Sequence, residues 1–341
     1  AKTRAADLGE LTLSMLRGES GNQAREIEVL IAWLQTQPKP DVLCLSNVLL
    51  TGMVRRLKAE LRVPAACALQ GEDFFLDGLP ESHRAACWRV LAERAADVDL
   101  FIAPSRYFGD LMRERLGLPA DRVRVVHNGI NLEGYEAEVQ SLKFKVQSAD
   151  VPVLGFFARM CREKGLDTLV EAYILLRQRG RVGQLKLRVG GSCGPADRAF
   201  VDSLRERLRA GGLLDDVEFH PNASHASKVA MLRSLSVFSV PALYGEAFGL
   251  YVIEALAAGV PVVQPRVAAF PELVEATGGG VLCAAGDARA LVEAIEELLL
   301  DPARARALGE AGRRAVLERF SAEAMARETL RVLGELVGGR R

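Results

Sequence analysis

Short runs of apolar, β-branched residues recur along this chain, each followed by a longer stretch with apolar residues at helical spacing. That alternation constrains the fold more than any other feature. Residues 41–46, 63–69, 99–103 and 122–127 read as strands, and 49–61, 82–97 and 105–116 as helices, with Ser105 placed to cap the last. Ahead of them, 11–37 is helical with a break near 18–21, and Pro38 and Pro40 end it. The pair Asn128-Gly129 is of turn type and closes strand 122–127. Apolar strands joined by helices form parallel sheets covered on both faces. The rhythm breaks over the mostly polar stretch 134–150, which reads as a link between domains. It then resumes, with strands at 153–158, 186–190, 217–220, 237–240 and 261–264 and a weak one at 280–284. Helices are expected over 166–178, 196–210, 226–235, 250–258, 288–300, 303–320 and 322–337. The expected class is α/β, with two doubly wound halves, and 341 residues suit two domains.

Composition narrows the function. Lys+Arg and Asp+Glu balance at 44 each, so no bulk charge points to nucleic acid. The cysteines Cys44, Cys67, Cys87, Cys161, Cys193 and Cys283 are scattered, with no C-x-x-C pair, and read as free thiols in a reducing compartment. The histidines His83, His127, His220 and His225 show no metal-ligand spacing. No apolar run reaches spanning length, and AKTRAADLGE has no signal-peptide core. The expected location is cytoplasmic, with peripheral contact to a membrane surface left open.

The chemistry gathers in 240–263, VPALYGEAFGLYVIEALAAGVPVV. A strand ends at Pro241, a loop carries Gly245, Glu246 and Gly249, and a helix begins at Leu250. Free N–H groups and the positive dipole end suit a phosphate there, and Gly249 lets it approach the backbone. Glu246 and Glu254 can accept hydrogen bonds from hydroxyls on either side of the phosphates. That combination describes a nucleotide sugar, with sugar hydroxyls at one end and ribose at the other. The bare spacing of two acids is weak evidence, because many helices carry it by chance.

A second strand-to-helix loop, in 153–173 (VLGFFARMCREKGLDTLVEAY), carries Arg159 and Lys164 ahead of Gly165. Cations at the carboxyl edge of a sheet are placed for an anion, Arg as a fork and Lys as a point charge. Elsewhere two readings stay open. Gly190-Gly191 with 192–195 either lines a nucleotide pocket or makes a tight turn. Asn128-Gly129 either faces a cleft or only turns the chain. Glu72 and Asp73, in LQGEDFFLD, either meet an acceptor or cap Phe74, Phe75 and the following helix, with capping the favoured role.

Glu246-Ala-Phe-Gly-Leu, followed by Glu254-Ala-Leu-Ala-Ala-Gly-Val-Pro-Val-Val, resembles the Glu-x7-Glu motif of retaining glycosyltransferases with the GT-B fold, glycosyltransferase family four. Gly155 to Arg159 and Glu163-Lys164-Gly165 resemble the same family's basic loop. The resemblance implies two Rossmann-like domains facing each other across a cleft. It places an acceptor-side domain at 1–138, a nucleotide-sugar domain at 151–320 and a last helix at 321–341 crossing back to the first. It also implies transfer of a sugar from a UDP- or GDP-sugar to an acceptor hydroxyl on a glycan, lipid or small molecule, with retention of configuration. No metal or other cofactor is expected. By the same resemblance Arg159 and Lys164 hold the diphosphate with the N–H groups near Phe248, Gly249 and Leu250. Glu246 orients the sugar and Glu254 the ribose, and the Asn128 segment ends the first domain. Two departures count against a standard enzyme. Gln70 stands where many relatives carry a His beside the reacting carbon, and the first half opens with helix rather than strand. The latter means either a missing natural N-terminus or a naturally shortened domain. The competing readings are a catalytically inactive GT-B nucleotide-binding module and a GT-B sugar-nucleotide epimerase.

Overall fold

A computed structural model describes residues 5–135 and 151–338. Its chain separates into two compact units. One holds the described residues up to His127 together with those from Met325 onward, and the other runs from Asn128 to Ala324. Residues 136–150 of the expected link lie outside the described residues, whereas Tyr135 is buried.

In the first unit, α1 (Ala5–Arg17) and α2 (Ala24–Gln35) precede a parallel sheet of β1 (Leu43–Leu45), β2 (Ala65–Ala68), β3 (Leu100–Ala103) and β4 (Val123–Val125), in that spatial order. Between the strands run α3 (Val54–Leu61), α4 (Glu72–Asp77), α5 (Glu81–Ala95) and α6 (Arg106–Leu116). Ser105 caps α6, its Oγ accepting from Phe108 N at 3.0 Å. The order never reverses, and right-handed crossovers then place the connecting helices on one face. Ala66, Leu100, Ile102 and Val126 face the other way, packed with Val332 of α14 (Ala322–Gly338).

Two expectations change here. The stretch 49–61 is not one helix, since Val48–Met53 winds as a 3₁₀ segment before α3. Its Gly52 lies so close to the end of α1 that a Cβ would meet Met15 O at 2.1 Å. Asn128-Gly129 makes no turn. The chain runs on as an extended segment in which Ile130 N donates to Phe320 O and Ala322 N to Ile130 O, both at 2.9 Å. Gly129 is required by that approach, because a Cβ would meet Ser321 O at 2.1 Å.

In the second unit, β5 (Val153–Phe157), β6 (Lys186–Gly191), β7 (Val217–Pro221), β8 (Val237–Phe238), β9 (Val262–Pro265) and β10 (Gly280–Cys283) form a parallel sheet ordered β10-β9-β8-β5-β6-β7. Its helices are α7 (Leu166–Arg179), α8 (Arg198–Ala210), α9 (His225–Arg233), α10 (Leu250–Ala257), α11 (Phe270–Thr277), α12 (Ala288–Leu300) and α13 (Pro302–Arg319). The core runs through Leu154, Phe156, Val237, Phe238, Val262 and Val263, with Leu256 and Ile295 packed on it. The chain moves outward from β5 through β6 to β7, then returns to the other side of β5 with β8. The strand ends of β5 and β8 therefore flank a topological switch point, where open α/β sheets bind ligands. Among the described residues no helix is long and apolar enough to cross a membrane.

Candidate functional site

Both loops that the sequence singled out leave the sheet at this switch point. The loop after β5 carries Arg159 and Lys164, and the loop after β8 carries Glu246. Backbone contacts stitch them together. Leu243 N donates to Glu163 O at 3.0 Å, and Gly165, at φ 72°, lies so close that a Cβ would meet Pro241 O at 1.9 Å. A side chain at 165 would push the loops apart.

The stitching brings Lys164 to Glu246 across 82 positions of sequence, with Nζ 2.5 Å from Oε2. Their side chains are 17% and 15% exposed. Tyr251 on α10 donates its hydroxyl to the same oxygen at 2.8 Å. The Lys164 ammonium also lies 4.9 Å from the ring centroid of Tyr244 and 5.3 Å from that of Tyr251, a cation–π arrangement. Burial alone would lower the Lys164 pKa, but the Glu246 carboxylate and the Tyr244 hydroxyl outweigh it and hold it above the ordinary lysine value. Burial, with Glu246 alongside, pushes the Tyr251 phenol well above its usual range. One oxygen of Glu246 is thus gripped from two sides, while Oε1 takes no hydrogen bond from the described residues.

Arg159 starts from the end of β5 and forks onto Asp197, with Nη2 to Oδ1 at 2.9 Å and Nε to Oδ2 at 3.2 Å. The guanidinium keeps the Asp197 carboxyl below its ordinary pKa. The Arg159 side chain remains 58% exposed, with Nη1 outside the fork. Gly191, at φ 127°, ends β6 against the neighbouring strand end, where a Cβ would meet Ala158 O at 1.8 Å. The tight-turn reading of Gly190-Gly191 does not hold, since both are strand residues of β6, and at Gly190 a Cβ would meet the Phe157 ring at 2.5 Å.

Gly249 is the N-cap of α10, at φ 99°, with no side-chain cap. Val252 N donates to Gly249 O at 2.9 Å, and with no side-chain cap the N–H groups of Leu250 and Tyr251 are placed for a ligand. Leu250 is exposed, whereas the Phe248 ring is buried 6.3 Å from that of Phe320 and anchors the loop from below. Glu254 lies further along α10 and pairs with Lys228 of α9, Nζ to Oε1 at 2.6 Å.

Gln70 belongs to the first unit and Asn128 opens the second. Gln70 is an exposed residue after β2 in the first unit, and Asn128 belongs to the extended segment paired with 320–322. Glu72 does not cap its own helix α4, which has no side-chain cap; its oxygens accept instead from Val48 N at 3.1 Å and Gln70 N at 2.7 Å. Sequence reasoning missed Lys228, Asp197, Tyr244 and Tyr251. Tyr251 lies inside the two-glutamate stretch but reads there as part of an apolar helix face. No spacing rule connects Lys228 to Glu254 or Asp197 to Arg159.

Comparison with known proteins gives this geometry a context. The family model described as "Glycosyl transferases group 1" matches residues 139–315, and that of a "Glycosyl transferase 4-like domain" matches 10–129. The phosphatidyl-myo-inositol mannosyltransferase of Mycobacterium leprae is 35% identical over 63% of this chain and 54% of its own length. The alpha-maltose-1-phosphate synthase of Mycolicibacterium smegmatis is 32% identical over 71% of this chain and 64% of its own length. The chain thus spans between half and two thirds of the length of these relatives. Among solved structures, the sucrose-phosphate synthase of Thermosynechococcus elongatus superposes with a TM-score of 0.76 at 24% identity, over 93% of this chain and 78% of that one. Anabaena HepE in complex with UDP gives 0.77 at 19% identity, over 93% and 84%. These two similarities are of fold.

Proposed function

From the premise that the chain belongs to the glycosyl transferases group 1 family, and has its GT-B fold of Rossmann-like α/β units, we propose that it transfers a sugar from a nucleoside diphosphate sugar to an acceptor hydroxyl with retention at the anomeric carbon. The observation that carries this reading is the switch-point cluster, where Lys164 and Glu246 meet beside the open N-terminus of α10 and Arg159 leaves the same sheet edge.

The roles follow from charge. As the bond to the sugar breaks, positive charge grows on the ring and negative charge on the diphosphate. Fixed donors at that diphosphate lower the barrier without reorganising. Lys164, the free Nη1 of Arg159 and the first N–H groups of α10 supply them. Glu246 offers Oε1 to hydroxyls of the donor sugar, while Lys164 and Tyr251 hold its other oxygen. Glu254 accepts from the ribose. In a front-side displacement the departing phosphate oxygen takes the acceptor's proton, so the reading asks for no separate protein base. HepE, which shares the fold, was crystallised with UDP, which supports a nucleoside diphosphate as the class of ligand.

Incubating the full chain with labelled UDP-, GDP- and ADP-sugars and a panel of hydroxyl acceptors tests the reading. A glycosylated product whose anomeric configuration matches the donor's supports it. Binding without turnover points instead to a nucleotide-binding module, and isomerised donor to an epimerase.

A further inference from the structure

Each glutamate of the Glu246/Glu254 pair is held through one oxygen by a lysine from another element: Glu246 by Lys164, Glu254 by Lys228. The first lysine belongs to the proposed diphosphate grip. The second has no role in it. Yet the Lys228–Glu254 pair is as short, at 2.6 Å, and as sheltered, with side chains 17% and 18% exposed.

Lys228 is fixed at its base as well as its tip. Ser224 caps α9 through Oγ, which accepts from Ser227 N, and Lys228 N donates to Ser224 O at 2.8 Å. The ammonium lies 5.9 Å from the centroid of the Phe157 ring, at the end of β5. It takes Oε1 of Glu254 and leaves Oε2 without a hydrogen bond from the described residues. Tyr135 also packs against the same helix. The Tyr135 side chain is 1% exposed, and its hydroxyl has no partner among the described residues. The Tyr135 ring packs edge-on to His225 of α9. A carboxylate held by one oxygen with the other open suits a ligand carrying hydroxyl donors on adjacent carbons.

Resting on the nucleotide-sugar reading above, we propose that Lys228 is a positioning residue for ribose recognition, holding Glu254 by Oε1 so that Oε2 meets the vicinal diol of a ribonucleoside diphosphate. A carboxylate on a flexible side chain accepts from a diol only if its orientation is set beforehand, and an unheld glutamate would lose that setting to rotamer entropy. Lys228 therefore acts on the diol contact and not on the phosphates.

Calorimetric titration of the full chain with UDP, GDP and ADP, and with the 2′,3′-dideoxy counterpart of whichever binds, tests this. Lys228→Met is expected to weaken the ribonucleotide by about tenfold or more, the scale of a hydrogen bond to a charged group. The dideoxy nucleotide should be nearly unaffected. Lys228→Arg should restore most of the difference, and turnover by Lys228→Met should show a raised KM with kcat little changed. Thermal melting checks folding, and Lys228→Gln, which keeps an N–H donor, serves if the methionine variant does not fold. Equal weakening of ribo and dideoxy forms, or none, overturns the proposal and leaves the nucleotide reading standing. If no nucleoside diphosphate binds the unaltered protein, both fall.

Discussion

The two sheets of this molecule are both parallel and both covered by helices, yet they put the acids at their carboxyl edges to opposite uses. In the first unit the order β1-β2-β3-β4 never reverses, and the acid at its carboxyl edge, Glu72, spends both oxygens on the backbone N–H groups of Val48 and Gln70. In the second unit the order reverses beside β5, and the acid at that edge, Glu246, has one oxygen held by side chains and one unengaged. A reversal diverts adjacent connections to opposite sides and opens a crevice between strand ends. Without it, the loops close over the edge and their polar groups satisfy one another. A buried carboxylate therefore marks a site only where its hydrogen bonds are incomplete.

The sharpest break of this comparison would come from the two acids themselves. Glu246→Ala should lower turnover by about a hundredfold or more, the scale seen when a group fixed at a reacting centre is removed. Steady-state kinetics with the preferred donor measures it. Glu72→Ala should leave donor affinity alone and destabilise the fold by about 2 kcal/mol, because the buried N–H of Val48 and the part-buried N–H of Gln70 lose their acceptor. Urea unfolding beside donor titration reads both. If Glu72→Ala instead abolishes binding while Glu246→Ala is neutral, the assignment of roles is inverted.

A smaller effect is expected at Tyr251. Its phenol donates to the oxygen that Lys164 also holds, so Tyr251→Phe should loosen Glu246 without freeing it. A fall in kcat of about fivefold to tenfold, with the melting temperature nearly unchanged, is the expected result. The smallest effect concerns acid stability, and its sign differs between the units. Arg159 lowers the Asp197 pKa in the folded state, so that carboxylate contributes stability above the ordinary Asp range and loses it as pH falls through the lowered value. Burial raises the Glu72 pKa, so that group favours the fold most at low pH, and its contribution declines as pH rises through the raised value. Asp197→Asn should flatten the acid limb of a stability–pH curve, by less than about 1 kcal/mol because Arg159 is largely exposed. Glu72→Gln should change the curve in the opposite direction.

Most of the fold was legible, because apolar strands and amphipathic helices announce themselves locally. The helices missed were α4 and α11. Six residues of α4 are too few to show a period, and α11 opens with Phe270-Pro271, where the proline suits a first turn but reads as a breaker. Asn128-Gly129 has turn chemistry, yet its glycine serves a close approach to Ser321, a tertiary requirement that no local pattern encodes. The same limit applies to the candidate site. Arg159, Lys164 and Glu246 stand out because their loops carry glycines and prolines in recognisable order, and Glu254 by its spacing from Glu246. Their partners Asp197, Tyr251 and Lys228 do not. Each is an ordinary residue of a helix or its cap until the sheet order brings it to the switch point.

The central claim is that a donor nucleotide sits at the strand edge of the second unit. Hydrogen exchange with and without saturating UDP or GDP, whichever raises the melting temperature, measures this directly. The account predicts slowed exchange in peptides covering 158–166 and 243–256, with 43–76 unchanged. Protection confined to 43–76 and 100–127, or protection nowhere despite measured binding, would contradict it.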